Sequence, residues 1–287
     1  MPVPMFSIIL PTYNRAWILP KTLGFICAQS FQDWELVVVD DGSTDETKQI
    51  VKMVAAHDPR VRYIFQKNAR QAAARQNGLE HALGEWVTYV DSDEEIYPYY
   101  LETMLVFVTE HQQVLYGMSA MDRVLELHDA QHKILAVKPQ PPTDLDLQVI
   151  TLKDFAHWKI KPCGTCLFHR RDIVKDARLD TSFRLFEDVD FLLQLGLRYP
   201  NNFGYIPKPL FYYRQIFGSD GICGNASYGD WADGFEKFFL KYEKTWLMLE
   251  QTWYPTKVEQ YRERQRLFEA GQLELPAARY FSEYFKK

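Results

Sequence analysis

The stretch Trp86-Val87-Thr88-Tyr89-Val90-Asp91-Ser92-Asp93 decides how this chain is read. Its first five residues are β-branched or aromatic and predict a strand. They run without a spacer into two carboxylates one residue apart. A strand that ends this way sets both acids at its carboxyl edge, where ligands sit in open α/β sheets. Two ionised carboxylates this close repel each other unless something positive lies beside them. A divalent cation carrying a phosphate ligand meets that need, since magnesium-type ions are often held by one or two carboxylates plus substrate phosphates. Taken alone, an Asp-x-Asp is more often a solvated acidic turn, so its surroundings must decide.

Working outward, strands and helices alternate. Phe6–Leu10 is a short apolar run closed by Pro11, and residues 16–29 read as a helix. Glu35–Val39 is dominated by β-branched residues and predicts a buried strand. Ser43 with Glu46 has the spacing of a capping box, opening a helix with Thr47, Ile50, Val51 and Val54 on one face. Val61–Phe65 predicts a third strand. An alanine-rich helix over 69–83 follows, with Gly84 suited to a left-handed stop. This alternation implies a Rossmann-like α/β fold: a mostly parallel central sheet, right-handed crossovers and helices on both faces.

The polar clusters fall at the strands' ends. Thr12-Tyr13-Asn14-Arg15 follows the first strand, Asp40-Asp41 the second and Asp91-Ser92-Asp93 the fourth, so all three collect at one edge of the sheet. That convergence turns the reading from an acidic turn to a site for a nucleotide's diphosphate. No Gly-x-Gly-x-x-Gly follows a strand and no Gly-x-x-x-x-Gly-Lys-Ser/Thr occurs. Metal and side chains, rather than a glycine-rich backbone cradle, must then hold the phosphates.

Pro11-Thr12-Tyr13-Asn14-Arg15, Val39-Asp40-Asp41-Gly42-Ser43-Thr44-Asp45, Ala74-Arg75-Gln76-Asn77-Gly78 and Asp91-Ser92-Asp93, in that order, resemble the motifs of family 2 glycosyltransferases of the A-type (GT-A) fold, over roughly residues 5–215. The resemblance implies a sugar-nucleotide donor, commonly UDP-linked, and Mn²⁺ or Mg²⁺ as cofactor. Carried over by position, Pro11 and Tyr13 border the base, Asp41 accepts a hydrogen bond from the uracil ring, and Arg75 helps hold the donor. Asp91 lies near the ribose and Asp93 ligates the metal. The later segment Phe183–Leu193 resembles the family's Glu-Asp motif at a helix start, which makes Asp188 the general base of an inverting transfer. The same residues have plainer uses: packing for Tyr13, helix-end electrostatics for Asp41 and Asp188, a solvated helix position for Arg75. Arg214, or the loop after it to Ser219, is a candidate to close over the diphosphate, with a solvated loop as the alternative.

The chain divides accordingly into a nucleotide-sugar-binding half (1–105), an acceptor-binding half (106–224) and a C-terminal amphipathic helical extension (225–287). In the middle, a helix over 98–111 and a strand over 114–118 are expected, then a strand pair or loop over 122–137. Lys138-Pro139-Gln140-Pro141-Pro142 reads as a rigid turn. Cys163, Cys166 and His169 can be read as three ligands of a structural zinc site, which needs a fourth. The run continues into Leu167-Phe168, so small buried cysteines on a strand are the expected role. In the tail, Trp231, Phe235, Phe238, Tyr242, Trp246 and Leu249 recur at helical spacing and predict one continuous stripe, followed by helices over 255–270 and 276–285. The stripe is expected to dock on the catalytic domain, with homo-oligomer contact or a peripheral membrane surface as alternatives.

A net charge of −5 argues against a nucleic-acid partner. The absence of any apolar run of about 18 residues, together with few, scattered cysteines, gives a cytoplasmic expectation, with a peripheral place at the inner face of a membrane as the alternative. The acceptor is expected to be a glycan, lipid-linked or other hydroxyl. The family's processive Gln-x-x-Arg-Trp motif does not occur, so one sugar at a time is expected. A nucleotidyltransferase or a non-catalytic sugar-nucleotide-binding module are the alternatives. The first lacks its basic glycine-rich loop, and the second has no need of a base.

Overall fold

The computed structural model describes residues 3–140, 163–175, 177–217, 226–248 and 253–272. Four parallel strands form the amino-terminal part of the sheet: β1 (Phe6–Thr12), β2 (Trp34–Asp40), β3 (Val61–Phe65) and β4 (Trp86–Tyr89). The sheet order is β3-β2-β1-β4-β8-β6-β9-β5, with β7 hanging on β6. Beyond β4 antiparallel ladders enter, through β8 (Leu167–Arg170), β6 (Tyr116–His128), β7 (Ile134–Gln140) and the two-residue β5 (Glu95–Ile96). The long β9 (Phe203–Phe217) runs parallel to β6 along most of its length.

Period-two alternation of β2 sends its residues to two separate cores. Leu36 and Val38 pack with Leu19, Leu23, Ile26 and Val51 from helices α1 (Leu19–Cys27) and α2 (Thr47–His57). Val37 and Val39 pack instead on Ala74 of α3 (Arg70–His81). Both strands are buried along their whole length, so both faces are covered as the apolar runs require. Helix α4 (Tyr100–Glu110) covers the outer part, with Phe107 against Phe168.

Several local expectations change. Ser43 does not cap α2. Its Oγ accepts from Asn14 N–H at 2.9 Å, while Asp45 Oδ1 accepts from Thr47 N–H at 3.0 Å, because the loop after β1 competes for the hydroxyl. Helix α3 ends at His81 through an extended Ala82, and Gly84 is not a left-handed stop. Gly84 N–H donates to Ser7 Oγ at 2.7 Å, in a contact too close for a side chain. Lys138–Gln140 finishes β7 rather than forming a turn, an edge position that tolerates Pro139. Pro141 and Pro142 lie outside the described residues.

Cys163 and Cys166 are buried free thiols on a single 3₁₀ turn (Gly164–Cys166) ahead of β8, not on the strand itself. The ring nitrogens of His169 are taken by Tyr89 Oη at 2.9 Å and Arg170 O at 3.0 Å.

The C-terminal stripe docks as far as Tyr242, but it is not one helix, and Leu249 lies outside the described residues. Helix α5 (Glu187–Arg198) receives α6 (Tyr228–Lys241), and Phe183, Leu185, Phe186, Val189 and Leu193 pack with Phe235, Phe238 and Tyr242. The helix breaks at Tyr242, whose hydroxyl donates to the buried Asp190 Oδ1 at 2.7 Å. Beyond it run α7 (Glu243–Met248) and α8 (Trp253–Glu269). The expected helix over 276–285 lies outside the described residues. No helix among the described residues is long and apolar enough to cross a membrane.

Candidate functional site

The carboxyl ends of β1, β2 and β4 open onto a cavity of about 570 Å³. Of the residues singled out in the sequence, Pro11, Tyr13, Asp41, Asp91, Asp93 and Arg214 line it. Parallel register sets this geometry: Thr12 pairs with Asp40 and Ile9 with Tyr89, so the three polar loops leave the sheet at one level.

At one end, Tyr13 is 47% exposed and presents an open ring. Asp41 is buried, and its Oδ1 accepts from Gln66 Nε2 at 2.7 Å and Ala69 N–H at 2.8 Å. Such bonds fix a carboxylate's orientation and keep it an acceptor. Asp40 has a structural role: it accepts from Tyr63 Oη at 2.6 Å and Ser43 N–H at 2.8 Å.

At the other end, Asp91 Oδ1 accepts from Gln71 Nε2 at 3.0 Å and Arg75 Nη2 at 2.5 Å. Burial raises the Asp93 carboxyl above its ordinary range; Arg15 offsets this in part and Asp91 adds to it. The Arg15 guanidinium stands 4.0 Å away, a loose partner. A half-buried oxygen donor beside a second carboxylate, without a tight counter-charge, suits a hard divalent cation. Among the described residues no three His, Cys, Asp or Glu side chains form a metal cage. A cation at Asp93 would therefore complete its shell from diphosphate and water. Glu94, next in line, is fully buried, and its Oε2 has no hydrogen-bond partner among the described residues. Burial pushes its carboxyl well above the ordinary range.

Arg75 and Asp188 do not line this cavity. Arg75 is 2% exposed and works as a brace, its Nη1 donating to Glu187 Oε1 at 2.7 Å while Nη2 reaches Asp91. Burial disfavours its charge, but Asp91, Glu187 and Asp188 together raise its pKa above the ordinary value. The glycine of Cys163-Gly164-Thr165-Cys166 makes room for it, since a Cβ there would fall 2.2 Å from Nη2. Thr165 adds a second tie, its Oγ1 accepting from Asp91 N–H at 3.0 Å. Through this brace the first turn of α5 is fixed to the end of β4. Asp188 sits in that turn, its Oδ1 accepting from Val189 N–H at 2.7 Å. Burial pushes the Asp188 carboxyl up to about 7; Glu187 adds to the shift and Arg75 opposes it.

Arg214 lines the cavity and is held there by acids and a backbone carbonyl. Its Nη2 lies 2.7 Å from Glu95 Oε2 and its Nε 3.2 Å from Glu126 Oε1, and Nη1 donates to Asp93 O at 3.3 Å. The loop from residue 218 onward lies outside the described residues. The sequence reading gave no role to Asn14, Asn68, Arg70, Gln71 or Gln215, which also line the cavity. Asn14 alone carried a signal: asparagine tolerates the left-handed backbone, and it adopts φ +51° with Oδ1 accepting from Thr44 N–H at 2.8 Å.

Residues 7–176 match the family model described as Glycosyl transferase family 2. Similar proteins include the GalNAc(5)-diNAcBac-PP-undecaprenol β-1,3-glucosyltransferase of Campylobacter jejuni, 34% identical over 42% of this chain and 40% of that protein. Glycosyltransferase GlyA of Streptococcus pneumoniae is 42% identical over 37% of this chain and 15% of its own. The matches thus span less than half of these relatives' length. Among solved structures, S. aureus TarS 1-349 in complex with UDP-GlcNAc superposes with a TM-score of 0.59 at 23% identity, over 82% of this chain and 65% of that one. The mannosyltransferase PcManGT of Pyrobaculum calidifontis, solved with GDP-Man and Mn²⁺, gives 0.54 at 17% identity, over 98% and 79%. These likenesses bear on the fold alone. With the family model matched over more than half of the sequence, the chain belongs to glycosyl transferase family 2.

Proposed function

We propose that this chain transfers a single sugar from a nucleotide-sugar donor, a UDP-sugar by preference, to a hydroxyl of a glycan, lipid-linked or other acceptor, with inversion at the anomeric carbon. The observation that carries this reading is the meeting of Asp41, Asp91 and Asp93 around one cavity, with Asp188 braced to the same strand end through Arg75. A base would lie against Tyr13 with a ring N–H toward Asp41, since an ionised carboxylate selects a donor. The ribose would lie toward Asp91 and the diphosphate toward Asp93. Mn²⁺ or Mg²⁺ bound at Asp93 would supply neutralisation of the charge that gathers on the leaving diphosphate.

Asp188 supplies the base. Its carboxylate takes the acceptor hydroxyl's proton as the acceptor oxygen bonds to the anomeric carbon. On the opposite side the carbon–oxygen bond to the diphosphate breaks, and the electron pair leaves with the nucleotide. General-base assistance of this kind is worth on the order of 10²–10⁴-fold. Burial suits Asp188 to the task by keeping its carboxyl near neutrality, basic enough to accept a proton.

The test is a donor screen of UDP-, GDP- and dTDP-sugars by thermal shift with Mn²⁺, followed by a transfer assay using the best donor. Nucleotide release that requires an acceptor supports the reading. Pyrophosphate formed from an NTP and a sugar phosphate would instead point to a nucleotidyltransferase.

A further inference from the structure

Arg70 opens α3 with φ +75°, a left-handed backbone disfavoured for every residue with a side chain. The other bulky residues with positive φ have local compensation. Phe186 is packed among Trp231, Phe235 and Phe238, and His132 stacks on Trp17 at 4.2 Å. Arg70 is exposed, and among the described residues its guanidinium makes no hydrogen bond or ion pair. Among the described residues no contact of the Arg70 side chain offsets the strain.

Its position is nonetheless fixed from both sides. The preceding residue, Ala69, donates its N–H to Asp41 Oδ1 at 2.8 Å, and the following residue, Gln71, donates to Asp91 Oδ1 at 3.0 Å. Arg70 is therefore set between the two acids, on the wall of the cavity. The other arginines of that wall already stand beside acids, Arg15 4.0 Å from Asp93 and Arg214 between Glu95 and Glu126. A cavity lined by Asp41, Asp91, Asp93 and Glu94 repels a polyanion unless cations are supplied. A guanidinium offers a planar fork of donors matched to phosphate oxygens.

We propose that Arg70 is a donor-binding residue of the pocket, whose guanidinium reaches past the ribose to pair with the adjoining phosphate of a nucleoside diphosphate laid along the cavity from Asp41 past Asp91 to Asp93. This rests on the donor reading given above and adds to it a contact made by a side chain held at the cost of a strained backbone.

The test compares wild type, Arg70→Gly and Arg70→Lys, measuring binding of UDP, GDP and uridine with Mn²⁺ present and thermal unfolding without nucleotide. Glycine relieves the strain, so Tm rises by about 2 °C. At the same time UDP affinity falls by about 10- to 100-fold, because a charge-assisted contact is lost. Uridine affinity stays unchanged, and Arg70→Lys binds UDP with intermediate strength. A merely structural Arg70 would move stability and affinity in the same direction. The inference is overturned if Arg70→Gly binds UDP as wild type does, or loses uridine by the same factor. If wild type binds neither UDP nor GDP, the donor reading itself fails and takes this inference with it.

Discussion

Asp188 is a carboxylate at the start of a helix with its pKa pushed up to about 7, and that value sets a pH window. A base acts only when deprotonated, so kcat/KM for the acceptor is expected to fall by about tenfold per pH unit below pH 7 and to level off above it. A profile flat between about pH 5.5 and 8 would remove Asp188 from the role. Replacing it, Asp188→Asn, is expected to leave donor binding intact and lower turnover by about 10²–10⁴-fold. Equal turnover in the two proteins would argue for the plainer reading, helix-end electrostatics. Asp93→Ala is expected to abolish the Mn²⁺-dependent part of UDP binding, read by calorimetry with and without the ion. At this scale the acids were legible in the sequence, because a strand running into carboxylates announces where they go. Gln71, Arg70 and Glu126 were not, because their meaning depends on partners that only the folded chain brings near.

At the scale of elements, the strands and helices of the first hundred residues follow from hydrophobic period, and the errors cluster at ends where two partners compete. Ser43 had the spacing to cap α2 but is drawn to Asn14 of a different loop. The aromatic stripe had the spacing for one helix, yet Tyr242 leaves it to reach Asp190. The start of α5 is the most consequential such end. Phe186 precedes Glu187 and Asp188 with φ +76°, and its ring fills the space beside Gly234 of α6, where a Cβ would lie 2.5 Å away. Gly234→Ala should push that ring and shift the first turn of α5. The expected outcome is a fall in kcat with little change in UDP affinity, measured by steady-state assay and calorimetry. A parallel loss of both would mean that α6 supports the donor cavity as well.

Across the whole molecule, the parallel and mixed parts of the sheet meet at β4 and β8, and Arg75 ties the end of β4 to the start of α5. Residues so far apart in sequence gave no hint of this: Arg75 and Glu187 are 112 positions apart. Removing the guanidinium, as in Arg75→Ala, leaves Glu187 buried and without its ion-pair partner and Asp91 without its closest one. Breaking a buried pair in this way typically costs about 3–5 kcal/mol, to be read from denaturant unfolding. A loss below about 1 kcal/mol would show that the brace is dispensable.

The sharing of one guanidinium between a strand end and a helix start also bears on how such enzymes can be recombined. A chimera that grafts a relative's later segment onto residues 1–105 would keep this geometry only if the graft offers a carboxylate where Glu187 stands. Without it, the helix start carrying the proposed base would have no fixed tie to the end of β4, however well each parental piece folds.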